Sequence, residues 1–168
     1  MEKLKIVGCN SLVALEGAQS LGSLRVMSRV LDWKRFGSTD YYFLTVSFCK
    51  HLTSLQRLVL DRSWYFDEDI NVSGGLTWEQ ALQLLTSLQE LFGYCRGLSD
   101  LPVGLHSLPL LKRLEIIDCP SISSLPESGL PPSLEDLEVR DCSEELTEQC
   151  RMLATSKLTA IIDGRYVY

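Results

Sequence analysis

Apolar residues in this 168-residue chain return in a short figure: a leucine, one intervening residue and, in most units, a second apolar residue. Aligned on its first leucine, the figure opens at Leu4 (LKIVGC), Leu24 (LRVMSR), Leu58 (LVLDRS), Leu91 (LFGYC), Leu114 (LEIIDC) and Leu137 (LEVRDC). The separations are 20, 34, 33, 23 and 23 residues. Most units carry another leucine three residues earlier, at Leu21, Leu55, Leu88, Leu111 and Leu134, and two run on into LSDLP and ISSLP. Alternation over so short a span predicts a strand whose leucines face one side and whose intervening residues face the other.

The combined pattern, L-x-x-L-x-L-x-x-C-x-x-L-x-x-L-P, is that of a leucine-rich repeat. It predicts an α/β solenoid with a parallel sheet of short strands on the concave face and irregular turns and short helices on the convex side. One coil cannot bury its apolar side alone, so stability must come from stacking, and the ends need covers. On this reading residues 1–142 hold about six repeats, two of them long, at 24–57 and 58–90; residues 143–168 form a C-terminal capping helix and strand.

The long coils need separate treatment. LTVSFC, at Leu44, also fits the figure, but only 14 residues separate it from Leu58, too few for one coil. The segment is therefore assigned to the convex side, with Phe43, Leu44, Phe48 and Leu52 facing inward. In the next coil Gly74-Gly75 predicts a turn, and Thr77 a cap for a short helix opening at Trp78 and Glu79. Trp64, Tyr65 and Phe66 are expected to form a local core. Near the C-terminus Ser143 is expected to cap a helix opened by Glu144 and Glu145, burying Leu146, Cys150 and Leu153 on one face. Almost nothing precedes the first repeat, so the chain is expected to be the tail of a longer protein.

Composition narrows the class. With 45% hydrophobic and 23% charged residues, the chain reads as one globular unit. No apolar run approaches the roughly 18 residues of a membrane span, and the start lacks the form of a signal peptide. The expected location is the cytoplasm, or the nucleus. The net charge of −6 argues against a nucleic-acid binder. That charge is graded: residues 1–62 hold nine basic against five acidic side chains, whereas residues 115–148 hold one basic against ten acidic. A partner polarised in the opposite sense would fit.

The six cysteines are the candidate chemistry. Five residues after each aligned leucine stand Cys9, Arg29, Ser63, Arg96, Cys119 and Cys142; the fourth coil is one residue short, which moves its thiol to Cys95. Zinc would require paired cysteines converging on one point, and a ladder spreads its thiols in a line. A Cys119–Cys142 disulfide is within reach of adjacent strands, but a reducing compartment disfavours it. The preferred role is architectural, a small buried side chain among the backbone groups at a strand end. Cys49 and Cys150 read as ordinary core residues. With only His51 and His106, and no nucleophile elbow, metalloprotease helix or phosphate-binding loop, no enzymatic activity and no cofactor are expected.

The stretch LTSLQELFGYCRGLSDLPVGLHSLPLLKRLEIIDCPSISSLPESGLPPSLEDLEVRDCSEELTEQCR, and above all LPESGLPPSLEDLEVRDC and CSEELTEQCR within it, resembles the C-terminal repeats of plant nucleotide-binding leucine-rich-repeat disease-resistance proteins, particularly those of cereals. The ending LATSKL…IDGRYV is similar to the natural end of such proteins. The resemblance implies a recognition and autoinhibition module that senses a pathogen effector or a guarded host protein and restrains an upstream nucleotide-binding domain, absent from this chain. The alternative is a leucine-rich adaptor, such as the substrate-binding part of a ubiquitin ligase. Candidate contact residues come from strand geometry: Lys5, Val7, Arg25, Met27, Val59, Asp61, Phe92, Tyr94, Glu115, Ile117, Glu138 and Arg140 are expected on the concave face. Among them Val7, Met27, Val59, Phe92 and Ile117 are expected to form an apolar stripe.

Overall fold

A computed structural model describes residues 3–7, 24–30, 50–61, 82–94, 96 and 100–167. Its strands are β1 (Lys3–Val7), β2 (Val26–Val30), β3 (Arg57–Asp61), β4 (Glu90–Tyr94), β5 (Arg113–Ile117), β6 (Asp136–Arg140), β7 (Thr159–Ile162) and β8 (Arg165–Val167). They form one sheet in chain order, parallel from β1 through β7 and antiparallel between β7 and β8. A 3₁₀ turn (Val103–Ser107) and a helix, α1 (Glu144–Met152), accompany the sheet. The architecture is a leucine-rich-repeat-like solenoid, as the leucine pattern predicts.

Leu4, Met27, Leu58, Leu91, Leu114, Leu137 and Ala160 are partners across successive strands. The steps along this row are 23, 31, 33, 23, 23 and 23 residues. From Met27 onward every member is completely buried. The second coil is thus displaced from the sequence alignment by three residues. Met27, not Leu24, continues the row, and Leu24 takes the place that Leu55, Leu88, Leu111 and Leu134 hold in their coils. The displacement also moves Arg29, whose register partners are Ile6 and Leu60, away from the cysteine position.

The approaches to β3, β4 and β5 explain why leucines repeat every third residue. Leu82, Leu85, Leu88 and Leu91 are all buried, as are Leu105, Leu108, Leu111 and Leu114. Tight turns link them: Leu85 N–H donates to Leu82 carbonyl (2.9 Å), Leu88 to Leu85 (3.0 Å) and Leu108 to Leu105 (3.1 Å). Three residues per turn return the same face of the chain to the core at each step. Burying one such leucine contributes about 1.5–3 kcal/mol.

Coils are also joined through the backbone ahead of the strands. The carbonyl of Arg25 accepts from both Gln56 and Arg57 N–H, that of Gln56 from Gln89 and Glu90, that of Gln89 from Lys112 and Arg113, and that of Lys112 from Glu135 and Asp136. Every bond in this ladder is 2.8–3.0 Å long. Ser133 adds a side-chain donor, reaching the carbonyls of Leu108 and Leu111 in the preceding coil.

Strand exits are marked by Asp118, Asp141 and Asp163, all with positive φ (56°, 53° and 48°). Aspartate tolerates this left-handed conformation better than most residues, because its short side chain hydrogen-bonds locally. Cys119 and Cys142 follow the first two turns. Cys119 is buried, with Sγ 3.3 Å from Ile117 carbonyl oxygen, and Cys142 Sγ lies 3.3–3.4 Å from the carbonyls of Arg140 and Ile116.

At the C-terminal end Ser143 caps α1, its hydroxyl accepting from Leu146 N–H at 3.1 Å and donating to Ile122 carbonyl. Leu146, Thr147 and Cys150 are the buried face. Leu153 does not join them: the helix ends at Met152, and Leu153 is 37% exposed at its C-cap. The expected final strand is a hairpin. Asp163 and Gly164 both have positive φ (48° and 77°), the geometry of a two-residue turn whose twist suits antiparallel strands. Leu52 is buried as expected. Phe43, Leu44, Phe48, Trp64–Phe66, Gly74-Gly75, Thr77–Glu79, Cys9, Cys49, Ser63 and Cys95 lie outside the described residues.

Candidate functional site

The sheet face opposite the core carries the candidate site, because alternation sends every second strand residue there. Three rows cross it. The first runs Arg57–Glu90–Arg113–Asp136, with Lys3 and Val26 before it; the second Val59–Phe92–Glu115–Glu138–Ile161, with Lys5 before it; the third Asp61–Tyr94–Ile117–Arg140. Phe92, Glu115 and Ile117 are buried, yet none belongs to the hydrophobic core. Arg57 and Arg113 lie over Phe92, and Arg113 covers Glu115.

Phe92 sits under two guanidinium groups. Arg57 lies 4.4 Å and Arg113 6.0 Å from the ring centroid. The aromatic face is negative and the weakly hydrated guanidinium planar, so such stacking is favourable by about 0.5–1 kcal/mol even where water reaches it. Arg57 also pairs with Glu90 across β3 and β4 (3.4 Å).

Arg113 is the centre of the network. Its Nη2 is 2.6 Å and its Nε 2.9 Å from Glu115 Oε1, and Nη2 lies 3.6 Å from Glu138. Glu138 in turn receives Arg140 at 2.5 Å. The hydrogen bond to Glu115 is the chief cause that holds the Arg113 pKa above its ordinary value, with the fields of Glu115, Glu138 and Asp136 adding to it. Three arginines, three glutamates and one phenylalanine thereby form a continuous, charge-balanced strip from β3 to β6. Exposed basic groups (Lys3, Lys5, Arg25) lie beyond its β3 end, and exposed acids (Glu135, Asp136) lie at its β6 end.

The structure brings most of the sequence-expected residues onto this face. Val59 and Phe92 are direct partners; Glu115 and Glu138 continue their row, while Tyr94, Ile117 and Arg140 lie in the next. Lys5 is exposed near the first strand's middle, and Arg25 is exposed one residue before β2. Val7 and Asp61 close the third row at β1 and β3, at their register positions. Met27 is a correction. It lies in the inner row and is 0% exposed, so it is core and not contact surface. The apolar stripe is broken there, because the register displacement turns the second coil's expected outer residue inward.

Arg57, Glu90 and Arg113 stand just before the aligned leucine, outside the positions from which the contact residues are expected. The alternation runs one residue further back, and the four consecutive units carry Arg57, Glu90, Arg113 and Asp136 there. That alternating sign was the signal. Arg96, at the expected cysteine position, is instead an exposed ion-pair partner of Asp118 at 2.7 Å. Among the described residues no group of three or more His, Cys, Asp or Glu is placed to hold a metal ion. Nor, among them, is any helix long and apolar enough to cross a membrane.

No family model matches the chain. Over 65 residues, 38% of this chain, it is 42% identical to a candidate disease resistance protein of Arabidopsis thaliana. The matched part spans 5% of that protein's length.

Proposed function

We propose that this chain is a protein-recognition module of an intracellular plant immune receptor, the C-terminal repeat region of a nucleotide-binding leucine-rich-repeat protein. It senses an effector or a guarded host protein, restrains the receptor's own nucleotide-binding domain, and catalyses no reaction itself. The observation that carries the reading is the strip built on Arg57, Phe92, Arg113 and Arg140. Arginines and an aromatic ring, held in place by glutamates on a rigid sheet, are the residue types that dominate protein–protein contacts. Because the network is already assembled, little side-chain freedom remains to be lost on binding. Partial likeness to a disease resistance protein supports the same direction.

The test uses the full receptor carrying Arg57→Ala with Arg140→Ala, the two exposed arginines at the ends of the strip. Binding of its effector or guarded protein, read by titration calorimetry, is expected to fall at least tenfold, with the thermal transition retained. Loss of basal restraint, read as cell death without effector, would show that the face touches the nucleotide-binding domain. Unchanged binding together with unchanged restraint would sink the reading.

A further inference from the structure

Recognition does not account for the paired thiols at the exits of β5 and β6. We infer that Cys142 and Cys119 form a peroxide-sensitive modification site, in which Cys142 is oxidised first and Cys119 then closes a disulfide between neighbouring coils. The two cysteines follow the left-handed Asp118 and Asp141 at equivalent places of successive repeats. Asp118 N–H donates to Arg140 carbonyl at 2.9 Å, so the two coils remain backbone-bonded past the last strand pair, Ile117 with Arg140. Both sulfurs lie on the carbonyls that end β5: Cys119 Sγ is 3.3 Å from Ile117 oxygen, and Cys142 Sγ is 3.4 Å from Ile116 oxygen. Neither is in a disulfide.

The pair is asymmetric in the way that a peroxide-sensing dithiol requires. Cys119 is buried at 1% exposure, whereas Cys142 is half-buried and borders solvent. Side-chain hydrogen bonding with Cys119 is the main cause that holds the Cys142 thiol below its ordinary pKa, with burial opposing it. The thiolate is the nucleophile, so Cys142 attacks first.

The chemistry balances with hydrogen peroxide as oxidant. Cys142 thiolate attacks one peroxide oxygen, the O–O bond breaks, and the departing hydroxide takes a proton to leave as water. Cys142 is then a sulfenic acid. Cys119 sulfur attacks Cys142 sulfur, the S–O bond breaks, and the oxygen leaves as a second water carrying the Cys119 proton. Two thiols are oxidised by two electrons and one peroxide is reduced by two. The bond would clasp β5 to β6 beside Glu115 and Glu138, locking the spacing of the recognition strip.

The intact chain is treated with hydrogen peroxide, alkylated, digested and mapped by mass spectrometry, in native buffer and in denaturant. A Cys119–Cys142 linked peptide is expected in native buffer, reversible with a dithiol and lost in denaturant, where pairing becomes unselective. Cys119→Ser is expected to leave a sulfenic acid on Cys142 that a 1,3-dicarbonyl reagent traps. Both thiols remaining alkylatable after peroxide, or Cys142 linking to another cysteine in the native wild-type chain, would overturn the assignment. The wild-type mapping decides the matter even where a variant folds poorly.

Discussion

Arg113 and Glu115, two residues apart on β5, project from the same face and hold each other at 2.6 Å, with the carboxylate nearly withdrawn from water. Removing the arginine alone leaves a desolvated carboxylate without its principal partner. Arg113→Ala is therefore expected to cost about 1–3 kcal/mol. Adding Glu115→Ala to it should recover part of the loss. Urea denaturation of the two single variants and the double variant measures the coupling; strictly additive costs would show that the pair is not an energetic unit.

The register of the second coil gives a contrast of opposite outcomes. Met27→Ala opens the core and is expected to cost about 2–5 kcal/mol. Lys5→Ala, exposed on the outer face, should stay within about 0.5 kcal/mol of wild type. Equal effects in thermal unfolding would contradict the placement of Met27 between Leu4 and Leu58.

Cys150 supplies a pH prediction. Burial pushes its thiol up to about 12, from an ordinary value of 9.0. A folded-state pKa raised above the unfolded one means that the folded chain keeps the proton longer. The stabilisation is fully present below about pH 9 and is lost as pH rises toward about 12. Cys150→Ala should flatten the alkaline arm of the stability curve, measured as the denaturation midpoint from pH 7 to 11. An unaltered alkaline arm would argue against a buried neutral thiol.

The closing hairpin depends on its turn. Gly164→Val forces a branched residue into left-handed backbone at φ 77° and is expected to destabilise by about 1–2 kcal/mol. Asp163→Ala removes the acceptor for Asp141 N–H at 3.2 Å, with a loss of about 1 kcal/mol. Hydrogen exchange at β7 and β8 should rise in both variants. No change there would mean that the turn does not hold the two strands together.

The end of the helix is tested by Ser143→Ala, which removes the acceptor for Leu146 N–H and the donor to Ile122 carbonyl at once. A cost of about 1–2 kcal/mol is expected from denaturant midpoints. A value near zero would mean that water replaces both bonds.

Among the described residues from Leu58 to the helix, the fold was legible in the chain. Leucine spacing, the Ser143 cap and the buried Leu146 and Cys150 all follow from local rules that each segment satisfies by itself. Asp163-Gly164 is equally legible as a hairpin turn, in a segment expected to hold a single last strand.

The second coil was not legible, for a physical reason. Tight turns approaching β3, β4 and β5 bring leucines inward every third residue, so a pattern displaced by three residues fits its template equally well. Leu21 and Leu24 match the figure one turn too early. Pairing across the sheet resolves the ambiguity: Arg25 carbonyl bonded to Gln56 and Arg57 sets Met27 beside Leu58. The chain by itself determined that coils would form and which leucines would fill them, because burying one face in every repeat requires only local periodicity. Tertiary structure alone decided which strands met in which register, and so that Arg57, Phe92, Arg113 and Glu115 would converge from three separate coils. Hydrogen bonds and ion pairs between residues 23 and 33 positions apart carry that information, and no local pattern contains it.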